Sequence, residues 1–229
     1  MELIVNNKNV YVVSDIHNDA DGFKKLLKQI NFSKEDILIV NGDIFDRGEQ
    51  PVELYFEILK YENIYVIQGN HDVWVKREIR KKYGKEKVGE YLTYNTVSLM
   101  EERLTPVDLL NLADWIDSMP YFIELELNGN YYQIAHAQTF PTPNRVRNMQ
   151  WFYMGDFHHE SFIRGEEEYL NGISVVGHTP TMNHKIWKSD SGRTIRIDCG
   201  NGFQCYGAGG ALAAIRLNDM EEFYVNREG

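Results

Sequence analysis

Five short apolar runs in this chain each end on a residue able to coordinate a metal ion. Val10-Tyr11-Val12-Val13 leads into Ser14-Asp15-Ile16-His17, and Ile37-Leu38-Ile39-Val40 leads into Asn41-Gly42-Asp43. Ile64-Tyr65-Val66-Ile67 precedes Gln68-Gly69-Asn70-His71-Asp72, Tyr132-Gln133-Ile134-Ala135 precedes His136, and Ile173-Ser174-Val175-Val176 precedes Gly177-His178. Asp15 and His17 stand two apart at a strand end, so both side chains can face one ion. Asp43 lies in Gly42-Asp43-Ile44-Phe45-Asp46-Arg47-Gly48, where glycine lets backbone approach closely and a carboxylate can bridge two cations. The amide oxygen of Asn70 could complete a hard-cation shell, with His71 facing the opening. Taken singly, each has a plainer reading: Asp-x-His and Gly-Asn as turn chemistry, Asp46 and Arg47 as a surface ion pair, each histidine as a satisfied, partly buried ring. Loops at one end of a sheet converge in space, so five such strand ends together point to one mixed Asp, His and Asn site.

The elements that must position these residues follow an α/β pattern. Phe23, Leu26, Leu27 and Ile30 recur at helical spacing, and Pro51 opens a second helix carrying Leu54, Tyr55, Ile58 and Leu59. These give two βα units laid side by side. From Val73 to Met119 no strand is convincing, and the stretch reads as a mostly helical insertion, a cap over the site. Its clearest signal is the capping box Thr105-Pro106-Val107-Asp108 ahead of Leu109, Leu110, Leu112, Trp115 and Ile116. The basic stretch from Lys76 to Lys87 reads as a solvated helix face. Beyond it strands are expected over 121–127 and 131–135, joined by the hairpin signal Asn128-Gly129-Asn130, and over 173–176, 194–197, 211–217 and 222–225. No repeat, low-complexity tract or linker appears, so residues 1–229 read as a single domain.

Composition sets the outer limits. The 229 residues, 43% hydrophobic and 25% charged, suit one compact domain with a sizeable core. A formal net charge of -10 argues against long nucleic acid as a partner. It does not argue against a phosphate substrate, because bound divalent cations reverse the local field inside a site. No apolar run nears membrane-spanning length and no signal segment is visible, so the expectation is a cytoplasmic protein with no membrane partner. Cys199 and Cys205 are too few for a disulfide framework and read as reduced thiols, while His158, His159 and His184 read as surface residues.

The blocks Asp15-Ile16-His17, Gly42-Asp43-Ile44-Phe45-Asp46-Arg47-Gly48, Gly69-Asn70-His71-Asp72, Ala135-His136-Ala137 and Gly177-His178-Thr179-Pro180 come in an order that resembles the calcineurin-like metallophosphoesterases. Within that family they look like the phosphoprotein phosphatase branch, close to bacterial protein phosphatases and symmetrical diadenosine tetraphosphatases. The resemblance implies a four-layer α/β/β/α sandwich with metals at its loop edge. It also implies roles: Asp15 and His17 on a first ion, Asp43 bridging, and Asn70, His136 and His178 on a second. Two divalent ions, manganese first with iron or zinc as alternatives, would clamp phosphate oxygens and make hydroxide available near neutral pH. His71 would protonate the leaving oxygen, oriented by Asp46, and Arg47 would grip phosphate by its planar fork. The chain departs from the family at Asn18, where glycine is usual, and at Asp72, where glutamate is usual, which puts substrate fit in question. A second phosphate-binding arginine beside a tryptophan is also missing: Trp151 is followed by Phe152 and Tyr153, leaving Arg145, Arg147 and Arg164 as nearby candidates.

The expected activity is hydrolysis of phosphomonoesters, above all phosphoserine or phosphothreonine in proteins. Symmetrical hydrolysis of diadenosine tetraphosphate is the alternative, with Trp151, Phe152, Tyr153 and Phe157 able to stack an adenine. An inactive phosphate-binding module is the alternative from another class, disfavoured because grouped ionisable residues are costly to keep without a function. Nuclease or cyclic-nucleotide chemistry is disfavoured by Asp46-Arg47-Gly48 and by the acidic balance.

Overall fold

A computed structural model describes residues 1–84, 93, 95–139, 172–206 and 209–226, with backbone alone at 204–206. The fold is two stacked sheets with helices against one of them. The five-stranded sheet runs in the order β11(Glu221–Val225), β10(Leu212–Arg216), β2(Val10–Val13), β3(Ile37–Asn41), β4(Ile64–Ile67). The six-stranded sheet runs β1(Glu2–Val5), β5(Phe122–Leu127), β6(Asn130–Ala135), β7(Ile173–Val176), β9(Thr194–Arg196), β8(Trp187–Lys188).

The three parallel strands β2, β3 and β4 are linked by α1(Ala20–Gln29) and α2(Pro51–Ile58), the two βα units expected from the sequence. β2 and β3 are buried along their whole length because both their faces are covered. Val10, Val12, Ile37 and Ile39 face the other sheet and meet Ile123, Leu125, Ile134 and Val175 in one core. Tyr11, Val13, Leu38 and Val40 face the helices in a second core. Alternation in β5 sends Ile123, Leu125 and Leu127 inward and turns Glu124 and Glu126 away, the pattern of a strand covered on one side.

The described residues between 73 and 119 form most of α3(Asn70–Tyr83), then α4(Thr96–Glu101) and α5(Pro106–Ser118). Val75, Ile79, Val97, Met100, Leu109, Leu112 and Ile116 from these helices join Phe23, Leu26 and Leu54 of α1 and α2 in the second core. All five helices of the described residues thus supply the same layer on the five-stranded sheet. α5 begins as the sequence indicated: the Thr105 hydroxyl accepts from the Asp108 amide at 3.3 Å, and Asp108 accepts from the Thr105 amide at 2.9 Å.

The basic stretch is not simply solvated. Lys76 reaches Asp117 at 2.6 Å, Arg80 reaches Asp114 at 2.8 Å, and Lys82 pairs with Glu101, so α3 is tied to α5 and to the end of α4 by opposite charges. Periodicity within one helix could not reveal acidic partners that lie on other helices, about twenty to forty residues away. Its Lys85 and Lys87 lie outside the described residues, as do Arg145, Arg147, Arg164, Trp151, Phe152, Tyr153, Phe157, His158 and His159. No helix among the described residues is long and apolar enough to cross a membrane.

Candidate metal centre

The C-terminal ends of β2, β3 and β4 in one sheet and of β6 and β7 in the other open onto the same place. Asp15 and His17 follow β2, Asp43 follows β3, Asn70 follows β4, His136 follows β6 and His178 follows β7. The first two loops are laced together through their backbones, Asp15 N donating to Gly42 O at 3.1 Å, His17 N to Asp43 O at 3.0 Å and Asn18 N to Ile44 O at 2.8 Å. To bend this sharply, Asp15, His17, Asn18, Asp43, Asp46, Arg47 and, from the β7 loop, His178 all take positive φ between 50° and 80°. Non-glycine residues rarely do so, Asp, Asn and His least unwillingly, and such strain gathers at functional sites.

Asp43 is the centre of the constellation. Its Oδ2 lies 3.2 Å from His136 Nε2, 3.8 Å from His17 Nε2 and 3.9 Å from His71 Nε2. Ligand atoms of His17, Asp43 and His71 lie within 4.8 Å of one another, and so do those of Asp43, His136 and His178. Both triplets share Asp43. Asn70 joins the second, its Oδ1 sitting 3.1 Å from His136 Nε2 and 2.8 Å from His178 Nδ1. Asp15 borders the first, its Oδ1 3.9 Å from His17 Nε2, while its Oδ2 accepts from Ser14 Oγ at 2.5 Å and from His178 N at 3.1 Å. The structure therefore brings together all six ligand candidates and His71.

The histidines are preset for a cation. His17 Nδ1 faces the Phe45 carbonyl at 3.1 Å and His136 Nδ1 faces the Asn41 carbonyl at 2.9 Å. A carbonyl only accepts, so each Nδ1 carries a proton and each Nε2 points inward, the orientation in which an imidazole would turn its lone pair to a bound ion. Burial, with Arg47 and His71 adding to it, holds the His17 pKa well below the usual imidazole range even though Asp43 acts the other way. Burial lifts Asp15 to about 6. For Asp43 burial also pushes upward, but His136, His71 and His17 outweigh it and hold the carboxylate well below its ordinary range. Conversely, burial disfavours a charged His136, yet Asp43 and Asp15 raise it to about 10. Such a cluster of buried carboxylate oxygens, an amide oxygen and inward-facing imidazole nitrogens, with no thiolate among the described residues, fits hard to borderline divalent ions.

Beside it lies a second arrangement. His71 Nδ1 donates to Asp46 Oδ2 at 2.7 Å, and its ring packs against Trp74 with centroids 4.5 Å apart. The guanidinium of Arg47 directs one nitrogen at His17 Nε2, 3.2 Å away, and another at His71 Nε2, 3.1 Å away. Phe203 lies 4.8 Å beneath its charged carbon. Phe203 belongs to a 3-10 turn over Asn201–Tyr206, which Asn201 pins by donating from Nδ2 to Ile16 O at 2.8 Å. The sequence puts the loop 200–204 near the metal edge because it follows the strand over 194–197, but it does not single out Phe203 within that loop, whose contact with Arg47 spans more than 150 residues.

The two departures from the usual pattern do not touch the opening. Asp72 is fully buried and accepts four backbone N–H groups, from Asp43, Ile44, Phe45 and Gly69 at 2.9–3.1 Å. Asn18 is equally buried, donating to Gly48 O at 3.0 Å and to Thr96 Oγ1 at 2.9 Å. The expected effect on substrate fit is therefore replaced by an effect on how the loops are held. Cys199 is buried, and burial pushes its thiol up to about 12, so a redox role for it gains no support.

Comparison with known proteins agrees with this geometry. The calcineurin-like phosphoesterase family matches residues 8–205. A bis(5'-nucleosyl)-tetraphosphatase PrpE, asymmetrical, from Geobacillus sp. strain WCH70 is 26% identical, covering 93% of this chain and 92% of its own length. Serine/threonine-protein phosphatase 2 of Salmonella typhimurium is also 26% identical, over 79% of this chain and 86% of its own. Among solved structures, a putative diadenosine tetraphosphatase superposes with a TM-score of 0.68 at 15% identity, covering 98% of this chain and 97% of that one.

Proposed function

Because the chain belongs to the calcineurin-like phosphoesterases, a family of metal-dependent hydrolases of phosphoric esters, we propose that it hydrolyses phosphomonoesters at a dinuclear centre. The observation that carries this is the sharing of Asp43 by two ligand triplets, which supports a carboxylate held in common by two ions. We assign Asp15 and His17 to one ion, Asn70, His136 and His178 to the other, and Asp43 to both. Manganese is the proposed metal, with iron or zinc fitting the same donors. When bound, such a pair neutralises phosphate oxygens and makes water acidic enough to supply a nucleophile near neutral pH.

The chain's own residues do the rest. Arg47 turns its fork from the imidazole nitrogens to phosphate oxygens, which are stronger acceptors for a charged donor. That movement uncovers His71 Nε2. Once uncovered, Nε2 takes up a proton from solvent; as water adds to phosphorus and the bond from phosphorus to the leaving oxygen breaks, that proton passes to the leaving oxygen, the proton shed by the water goes to solvent, and the imidazole is left neutral. Asp46 keeps hold of Nδ1–H throughout and so fixes the ring.

The substrate we favour is phosphoserine or phosphothreonine in a protein. Symmetrical hydrolysis of diadenosine tetraphosphate is the second reading; the relative covering 93% of this chain is named an asymmetrical tetraphosphatase and so supports the substrate class, not the symmetrical position of cleavage. A cytoplasmic setting is part of the same proposal. The experiment is hydrolysis of a phosphoserine peptide and of diadenosine tetraphosphate by metal-stripped protein, with and without manganese, alongside His71→Asn. Manganese-dependent turnover is expected, and His71→Asn should keep its metal while losing about 10² to 10⁴-fold in rate. If the variant binds less metal, His71 is a ligand and the acid role fails. Turnover of the dinucleotide alone would move the substrate assignment to the second reading.

A further inference from the structure

The acid dyad stands on a hydrogen-bond chain that reaches a helix outside the metal-binding loops. Asn18 Nδ2 donates to Thr96 Oγ1 at 2.9 Å, Thr96 Oγ1 lies 3.3 Å from Asp46 Oδ1, and Asp46 Oδ2 accepts from His71 Nδ1 at 2.7 Å. The directions follow from chemistry. Gly48 O, which can only accept, sits 3.0 Å from the same Asn18 nitrogen and so identifies it as the amide N–H side. Thr96 must then receive from Asn18. A hydroxyl has one proton, and with an acceptor position filled by Asn18 that proton is turned toward the Asp46 carboxylate. We infer that Thr96 is a positioning residue for phosphoester cleavage: its hydroxyl fixes the Asp46 carboxylate, and through it the ring of His71, with Asn18 setting the direction of the hydroxyl.

Packing supports this. Asn18, Asp46 and Thr96 are each 0% exposed, so bulk solvent does not reach these partners. Thr96 opens α4, whose Val97 and Met100 are buried in the helical core, and the hydroxyl is thus fixed to a rigid element. Asp46 has φ +80 on a loop, and both its oxygens are held from elsewhere in the chain. The usual glycine at position 18 could make no such chain, so Asn18 and Thr96 act as one unit in this protein.

The inference rests on His71 being the acid, and the test separates the two. Phenyl phosphate and p-nitrophenyl phosphate are hydrolysed by manganese-loaded wild type, Thr96→Val, Thr96→Ser and His71→Asn. Phenolate leaves badly without a proton and p-nitrophenolate leaves well, so loss of proton donation shows mainly on the first ester. Thr96→Val keeps the shape and removes the hydroxyl; kcat on phenyl phosphate should fall about 10-fold, and clearly less on p-nitrophenyl phosphate, with KM and metal content unchanged. Thr96→Ser should restore the wild-type ratio. In metal-free protein the nitrogen-bound Nδ1 proton of His71 should exchange with solvent faster in Thr96→Val, as seen by NMR. Equal losses on both esters, or no loss, would overturn the inference for Thr96. If His71→Asn itself shows no bias between the esters, the acid reading fails instead. Should Thr96→Val not fold, Asn18→Gly, which suits the φ +58 at that position, must show the same bias to a smaller extent or the inference is wrong.

Discussion

Arg47, proposed to grip phosphate, has a backbone conformation that does not suit it. At φ +70 an arginine carries the steric cost of a Cβ in the left-handed region, on the order of 1–2 kcal/mol, which aspartate and asparagine partly escape by local hydrogen bonding. Replacing Arg47 by alanine and by glycine removes the same guanidinium and the same contact with Phe203. Only glycine also removes the backbone cost. Arg47→Gly should therefore melt about 2–4 °C higher than Arg47→Ala in calorimetry, a difference of about 1 kcal/mol after glycine's extra chain entropy is counted. Both variants should show raised KM. Equal melting temperatures would mean that the loop relaxes around alanine and that the left-handed backbone there stores no strain.

At the scale of elements, the turns after the strands matter more than the strands. Gly69, between β4 and α3, has no room for a side chain: a Cβ there would lie 2.3 Å from the backbone nitrogen of Asp43 and 2.2 Å from its Oδ1. Its φ of -100° suits any residue, so the requirement is purely steric. Gly69→Ala should push Asp43 off its place, costing roughly 1–3 kcal/mol in stability, and should lower metal content measured by elemental analysis. Normal metal loading in that variant would contradict the close approach. Thr105→Ala makes the contrasting case. It removes the hydroxyl cap of α5, far from the centre, and should cost about 1 kcal/mol in thermal melts while leaving kcat and metal content at wild-type levels.

Those turns also explain what could be read from the sequence. β2, β3 and β4 were legible because each is a continuous β-branched run, and their ligands were legible because each sits directly after one. β1 was not expected: Glu2-Leu3-Ile4-Val5 opens on a charged residue, has only two β-branched residues and is mostly unburied, and it is held as a strand by parallel pairing with β5, Glu2 opposite Glu124. β8 is two residues long and depends on its neighbour β9. Thr96, Phe203 and the Lys76–Asp117 pair were invisible for a related reason, since each acts through contacts that only the folded chain creates. Asp72 was visible but misread, because a carboxylate serving four backbone amides looks the same in sequence as one facing a substrate.

Over the whole molecule, the centre joins the two sheets. Asp15, His17, Asp43 and Asn70 come from the five-stranded sheet, His136 and His178 from the six-stranded one. Ions bound by both sets would cross-link them and would favour the folded state by mass action. At about 100 times Kd, one bound ion contributes roughly 2.7 kcal/mol. Chelation should therefore lower the melting temperature by roughly 5–10 °C for a chain this size, with recovery on adding manganese. A melting temperature indifferent to chelator would show that the sheets are held together by their apolar core alone.

The pairing of β10 with β2 has a consequence for biosynthesis. Ala214 lies opposite Val13 and Arg216 opposite Tyr11, so a strand near the start of the chain is completed by one made some two hundred residues later. Once residues 10–67 have left the ribosome, β2, β3 and β4 can assemble with α1 and α2. One flank of β2 then stays open until residues 212–216 emerge, which at about 5–20 residues per second takes roughly 7–30 s. During that interval the nascent chain presents Val10-Tyr11-Val12-Val13 as a bare apolar template for any other strand. Translation speed and chaperone access over the middle of the message therefore govern how much of this protein reaches its folded form.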